Sequence, residues 1–161
     1  MLTIRYRLRG PNVRIAGLQF RRMLTDIVRD VSHAIESELI DRSPGTGNLI
    51  NAWDVGMIER DGWPVGLVIN AYSTPTGIPI MILLEEGSGI YGPTGEVIRP
   101  KEATVLHWER EGQHYFAAWV RGIDPEIHAF VEESMEAAIP EIEKIIADKT
   151  RGWYKDLPVA E

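Results

Sequence analysis

The densest chemical signal in the chain is a run of glycines, Gly87-Ser88-Gly89-Ile90-Tyr91-Gly92, which spells G-x-G-x-x-G after an expected strand. In a dinucleotide site such glycines let the backbone approach a pyrophosphate held by amide N–H groups at a helix start. Here Pro93, Thr94, Gly95 and Pro100 follow, and they forbid that helix. The spacing therefore favours a flexible loop, and a nucleotide- or ligand-binding module built on Gly87–Gly95 is the alternative reading. His107, Glu109 and His114 are expected on one face of a hairpin, a conceivable zinc site. A catalytic zinc wants three such ligands and a supporting shell, and this loose spacing favours ordinary polar residues on a sheet surface. Glu85 and Glu86 are adjacent, so in a strand they point to opposite faces and cannot act as an acid/base pair. One of them is expected to turn inward or into an interface, with a solvated strand end as the alternative. There is no G-x-S-x-G elbow, no phosphate-binding G-x-x-x-x-G-K-[ST] loop and no cysteine. The missing thiol excludes disulfides, thiolate metal sites and a cysteine nucleophile. The expectation is no catalytic residue, no cofactor and no metal.

These residues must be positioned by the elements around them. Leu2, Ile4, Tyr6 and Leu8 alternate with Thr3, Arg5, Arg7 and Arg9, the pattern of a half-buried edge strand, which Gly10-Pro11 ends. From Val13 to Arg42 the period becomes helical, with Leu24, Ile27, Val28, Val31, Ile35 and Leu39 on one stripe. Ser43-Pro44 stops that helix. Strands are expected at Leu49–Glu59, Val65–Tyr72, Pro79–Glu86, Thr104–Glu109 and His114–Val120, with turns at Asp61-Gly62 and Glu111-Gly112. In the last hairpin Leu106 and Trp108 face Tyr115, Ala117 and Trp119. Residues 87–103 read as a long projecting loop. Asp124-Pro125 starts a second helix, over 124–149, whose stripe includes Phe130, Val131, Ala138, Ile142 and Ile146. Pro140 predicts a kink near Glu136–Ala137. Gly152 ends the helical region, leaving residues 150–161 as a C-terminal arm. The expected architecture is one α+β domain: an antiparallel sheet of four to five strands, both helices on one face, and an N-terminal edge strand.

The net charge of −7 is unevenly placed, because residues 1–30 hold seven arginines against Asp26 and Asp30 while the rest of the chain is strongly acidic. An acidic body repels phosphate, so it is not expected to grip nucleic acid. The basic segment suits an acidic partner, including another copy of the chain. The longest apolar run, Ile78 to Leu84, is far short of the roughly 20 residues a membrane span requires, and no secretory signal is expected at the N-terminus.

Three segments, in order, resemble the tail-component family of long-tailed bacteriophages. Ser43-Pro44-Gly45-Thr46-Gly47-Asn48-Leu49 is similar to its P-x-[DG]-T-G-x-L turn after a long helix. Leu84-Glu85-Glu86-Gly87-Ser88-Gly89 is similar to its E-x-G-[TS]-G segment. Val105-Leu106-His107-Trp108 through Val120-Arg121-Gly122, then Asp124-Pro125, resembles its closing hairpin and helix. The likeness covers about residues 16–147; Gly45, Ser88, the longer loop after Ile90 and the N-terminal strand depart from the commoner pattern. The resemblance implies a virion protein, assembled in the host cytoplasm, that forms a ring at the head–tail joint or tail end without catalysis. It also implies a homo-oligomer, commonly a hexamer, that meets the tail tube and head-closure or neck proteins. DNA passes through without specific binding. Expected contacts between subunits are Arg5, Arg7, Glu85, Glu86, Gly87, Gly89, Arg99 and Arg121, with Trp153, Tyr154 and Leu157 as an anchoring arm.

Overall fold

Helix α1 spans Val13–Arg42, the range its apolar stripe predicts. The computed structural model describes residues 13–44, 47–110 and 112–156, so the expected N-terminal strand, Arg5, Arg7 and Leu157 lie outside the described residues. Every stripe residue from Leu24 to Leu39 is at least half-buried, and Met23 and Leu39 are fully so. Ser43 closes the helix: its hydroxyl donates to the Leu39 carbonyl at 2.6 Å and accepts from the Trp53 indole at 2.8 Å. This chain of bonds ties the helix end to the first strand and satisfies a carbonyl that the last turn leaves open.

After α1 comes a single helical turn, α2 (Gly47–Ile50), then strands β1 (Trp53–Arg60) and β2 (Trp63–Asn70). The expected first strand therefore starts four residues late, since Leu49 sits in α2 and is buried in the core. Asp61 and Gly62 both have positive φ, 53° and 81°, as a tight two-residue hairpin turn demands. The β1–β2 sheet lies on α1 at Gly66, where a methyl group would fall 1.9 Å from the Ser32 hydroxyl and would force that side chain to move. The core forms where α1, α2, β1 and the later helices converge: Leu39, Leu49, Leu84 and Phe130, backed by Ile35, Trp53, Val68 and Ile123.

The expected central strand Pro79–Glu86 is instead a short helix, α3 (Ile80–Glu85), with Leu84 turned into the core. With that strand gone, nothing joins β2 to the second hairpin, β3 (Leu106–Arg110) and β4 (Gln113–Ala117). The result is two separate two-stranded antiparallel sheets in place of one sheet of four to five strands. The second hairpin keeps the expected register, with Trp108 opposite Tyr115 and Leu106 opposite Ala117.

Asp124 caps the next helix as expected, accepting from the Glu126 amide at 3.0 Å, but that helix, α4 (Pro125–His128), lasts one turn. The chain breaks at Ala129-Phe130 and restarts as α5 (Val131–Lys155), which continues through Pro140 and past Gly152. Helix α5 lies antiparallel along α1, with Ala138 fully buried at one end and Trp153 against Phe20 at the other, ring centroids 5.4 Å apart. The helices are therefore not side by side on the sheet: α1 covers it and α5 backs α1. No described helix is long and apolar enough to cross a membrane.

One ion pair pins the two long helices at mid-length. The Lys149 ammonium lies 2.6 Å from the Asp30 carboxylate, whose pKa is lowered by the hydrogen bond and charge of Lys149, with a smaller contribution from Arg29. A carboxyl depressed in the folded state stabilises above its unfolded value of 3.8, and that contribution disappears as pH falls through the folded value. Asp30→Asn should therefore be less stable than the parent at neutral pH, and the gap should close as pH falls below about 4. Urea unfolding at pH 7 and pH 3 measures this.

Candidate functional site

The glycine run lies where two stretches of backbone cross. The Ser88 amide donates to the Ile123 carbonyl at 3.0 Å, and the Ile123 amide returns a bond to the Ser88 hydroxyl at 2.9 Å. The Ile90 amide donates to the Arg121 carbonyl at 2.8 Å. A Cβ on Gly89 would fall 2.1 Å from the Arg121 carbonyl oxygen, and one on Gly122 would fall 2.0 Å from that of Ser88. The glycines therefore serve close backbone packing. The amides of Ser88, Ile90, Tyr91, Gly92 and Gly95 all donate to carbonyls of the chain, so the loop as folded does not aim them at a phosphate. Gly87 is buried beside Tyr91 and Pro125.

The expected projecting loop is thus tied down along its first half. Gly89–Tyr91 forms a 3₁₀ turn, and Ile98 and Val120 exchange both backbone bonds at 2.9 and 3.0 Å. Arg99 and Arg121 flank that bridge and are exposed, and neither forms an ion pair among the described residues.

The two neighbouring glutamates divide as expected, though from a helix end. Glu86 is exposed, while the Glu85 carboxylate turns inward and accepts from the Phe130 and Val131 amides at 3.0 and 3.3 Å. It caps α5 from across the chain, where Phe130 has no capping side chain of its own. Glu85→Ala should cost about 1–2 kcal/mol and Glu85→Gln less, because the amide keeps one acceptor oxygen. Urea denaturation of both variants distinguishes this capping role from a purely intersubunit contact, which would leave the isolated chain unchanged.

The expected C-terminal arm begins inside α5. Trp153 is 7% exposed and packed on Phe20, so it belongs to the subunit's own core; its ring holds the last turn of α5 on α1. Tyr154 stands beside it and is exposed.

On the second hairpin, the His107 and His114 imidazoles meet at 3.0 Å, and His107 stacks on Phe116 with centroids 4.7 Å apart. Glu109 faces His114 in register, yet no group of three His, Asp or Glu side chains is placed to hold a metal among the described residues. On the opposite face Trp108 and Tyr115 stack nearly parallel, 5.6 Å apart. Both faces of this hairpin therefore carry rings, and Trp108, Tyr115, Phe116 and Trp119 are all exposed.

The first hairpin has the same character. Trp53, Val68 and Gly66 face α1 and the core, so the alternate residues Ile58, Trp63, Leu67 and Ile69 face outward, and all four are exposed. Asp54 and Arg60 stand at the two ends of that face, opposite Ile69 and Trp63. Sequence reasoning passed over this outer face and Phe116. The available signal was the apolar run Val65 to Ile69, which does not alternate with polar residues. No family model matches the chain, and neither a curated protein nor a solved structure does.

Proposed function

We propose that this chain is a structural subunit of a tailed phage particle, acting by self-assembly into a ring at the head–tail joint or tail end and carrying out no catalysis. The observation that supports the self-assembly is the pair of two-stranded sheets, each with edges and an apolar surface left open among the described residues. An isolated two-stranded hairpin is marginal in water, and uncovered patches of this kind mark sites of protein association. The resemblance at Ser43–Leu49, Leu84–Gly89 and Val105–Pro125 supplies the virion setting: a hexameric ring contacting the tail tube and head-closure or neck proteins. Glu132, Glu133, Glu136, Glu141 and Glu143 are exposed along α5. Turned to the ring lumen, such a surface repels DNA and lets it pass.

Native mass measurement of the purified chain, followed by imaging of particles assembled without it, tests the reading. A closed oligomer, and filled heads accumulating beside unjoined tails, are expected. A chain that stays monomeric at tens of micromolar and joins no particle overturns it. Common nucleotides should leave thermal stability unchanged, since a binder gains stability by mass action.

A further inference from the structure

Two surfaces lack a cover among the described residues, and they differ in kind. One is the outward face of β1–β2, a shallow apolar sheet of Ile58, Trp63, Leu67 and Ile69. The other is the β3–β4 hairpin, whose strands pack mainly on each other and which carries rings on both faces. Phe116 is 65% exposed and Trp63 58%. We propose that the β3–β4 hairpin of one copy seats on the outward face of β1–β2 in a second copy, giving a head-to-tail contact that repeats around the ring. This rests on the ring reading above and names its interface.

Area supports the pairing. Trp108, Tyr115 and Trp119 lie on one face of the hairpin and Phe116 on the other, so a shallow partner face covers the first three. Their exposed parts and those of the four sheet-face side chains come to about 700 Å² of apolar surface. At the usual apolar share of an interface, that corresponds to roughly 1,200 Å² buried, the lower end of what a specific, stable contact requires. Geometry supports it too. If the sheet face met its own copy about a two-fold axis, the assembly would stop at a dimer with both hairpins bare. A contact between unlike surfaces covers the sheet face and one hairpin face in every copy, and propagates to a ring.

The test uses two double variants of the full chain. Ile58→Glu with Ile69→Glu spoils the sheet face and leaves the hairpin whole; Trp108→Glu with Trp119→Glu does the reverse. All four positions are exposed, so each variant should keep its helical circular dichroism and its urea midpoint; if either does not, Ile69→Thr and Trp119→Ser serve instead. Each variant alone should associate at least about a hundredfold more weakly than the parent and run as a monomer. Mixed one to one, they retain one intact hairpin and one intact face between them and should form a heterodimer that grows no further. A parent oligomer whose variants still close a ring, whose mixture stays monomeric, or which stops at a two-fold dimer overturns the pairing and leaves self-assembly standing. A monomeric parent overturns self-assembly itself, and the pairing with it.

Discussion

Gly122→Ala should destabilise the chain by about 3 kcal/mol or more, enough to lower its melting temperature by roughly 6–12 °C. Two costs combine. Gly122 has φ +109°, a conformation that L side chains rarely adopt, and a methyl group there would overlap the Ser88 carbonyl oxygen at 2.0 Å and the Gly89 nitrogen at 2.8 Å. Backbone occupies that space, so no side-chain rotation relieves the overlap, and the Ser88–Ile123 and Ile90–Arg121 bonds must open. Gly95 provides the control. Its φ is +63°, also positive, but open space surrounds it, so Gly95→Ala should cost only the backbone strain, about 1 kcal/mol. Thermal unfolding of the two variants separates crowding from conformational preference. If they lose equal stability, the crossing is not what holds residues 87–92 to 121–123.

Phe130→Ala is the second large effect, at about 3–5 kcal/mol. Phe130 is 5% exposed and meets Trp53 edge-on, with centroids 6.4 Å apart, among Leu39, Leu49 and Leu84. Its amide donates to Glu85 and its carbonyl accepts from the buried Ser134 hydroxyl at 2.7 Å, so it is both the start of α5 and the plug of the core. Phe116→Ala is the matched contrast. That ring is exposed, so its loss should change the stability of the isolated chain by less than about 0.5 kcal/mol. Urea unfolding of the two variants measures both.

Legibility in the sequence followed the strength of the local pattern. Helix α1 reads to the residue because thirty positions repeat one stripe and Ser43-Pro44 stops it. The hairpin turn at Asp61-Gly62 and the Trp108–Tyr115 register follow from turn chemistry and alternation. Ile80-Met81-Ile82-Leu83-Leu84 did not read correctly, because a short, continuous apolar run suits a buried strand and a buried helix equally. That one substitution of helix for strand divides the sheet. Gly152 suggested a helix end, but a glycine inside a helix costs only about 1 kcal/mol, and the burial of Trp153 beside Phe20 outweighs it. Among the site residues, the inward turn of Glu85 did not follow from its adjacency to Glu86, because that reading assumed a strand and the segment is a helix end. That its target would be the Phe130 and Val131 amides, some 45 residues on, was not readable either. The crossing partner Gly122 is likewise a tertiary fact that no local spacing encodes.

The slender attachment of β3–β4 has a kinetic consequence for the proposed contact. A segment held by few long-range contacts opens and closes as its own cooperative unit, at a free energy well below that of global unfolding. If that hairpin docks on a second copy as proposed, a free chain would offer it in the competent shape only part of the time, which would lower its apparent affinity by that fraction. A neighbour already fixed in place would order the element on arrival, so initiation would be slow and closure fast, and stray open chains of subunits would stay rare.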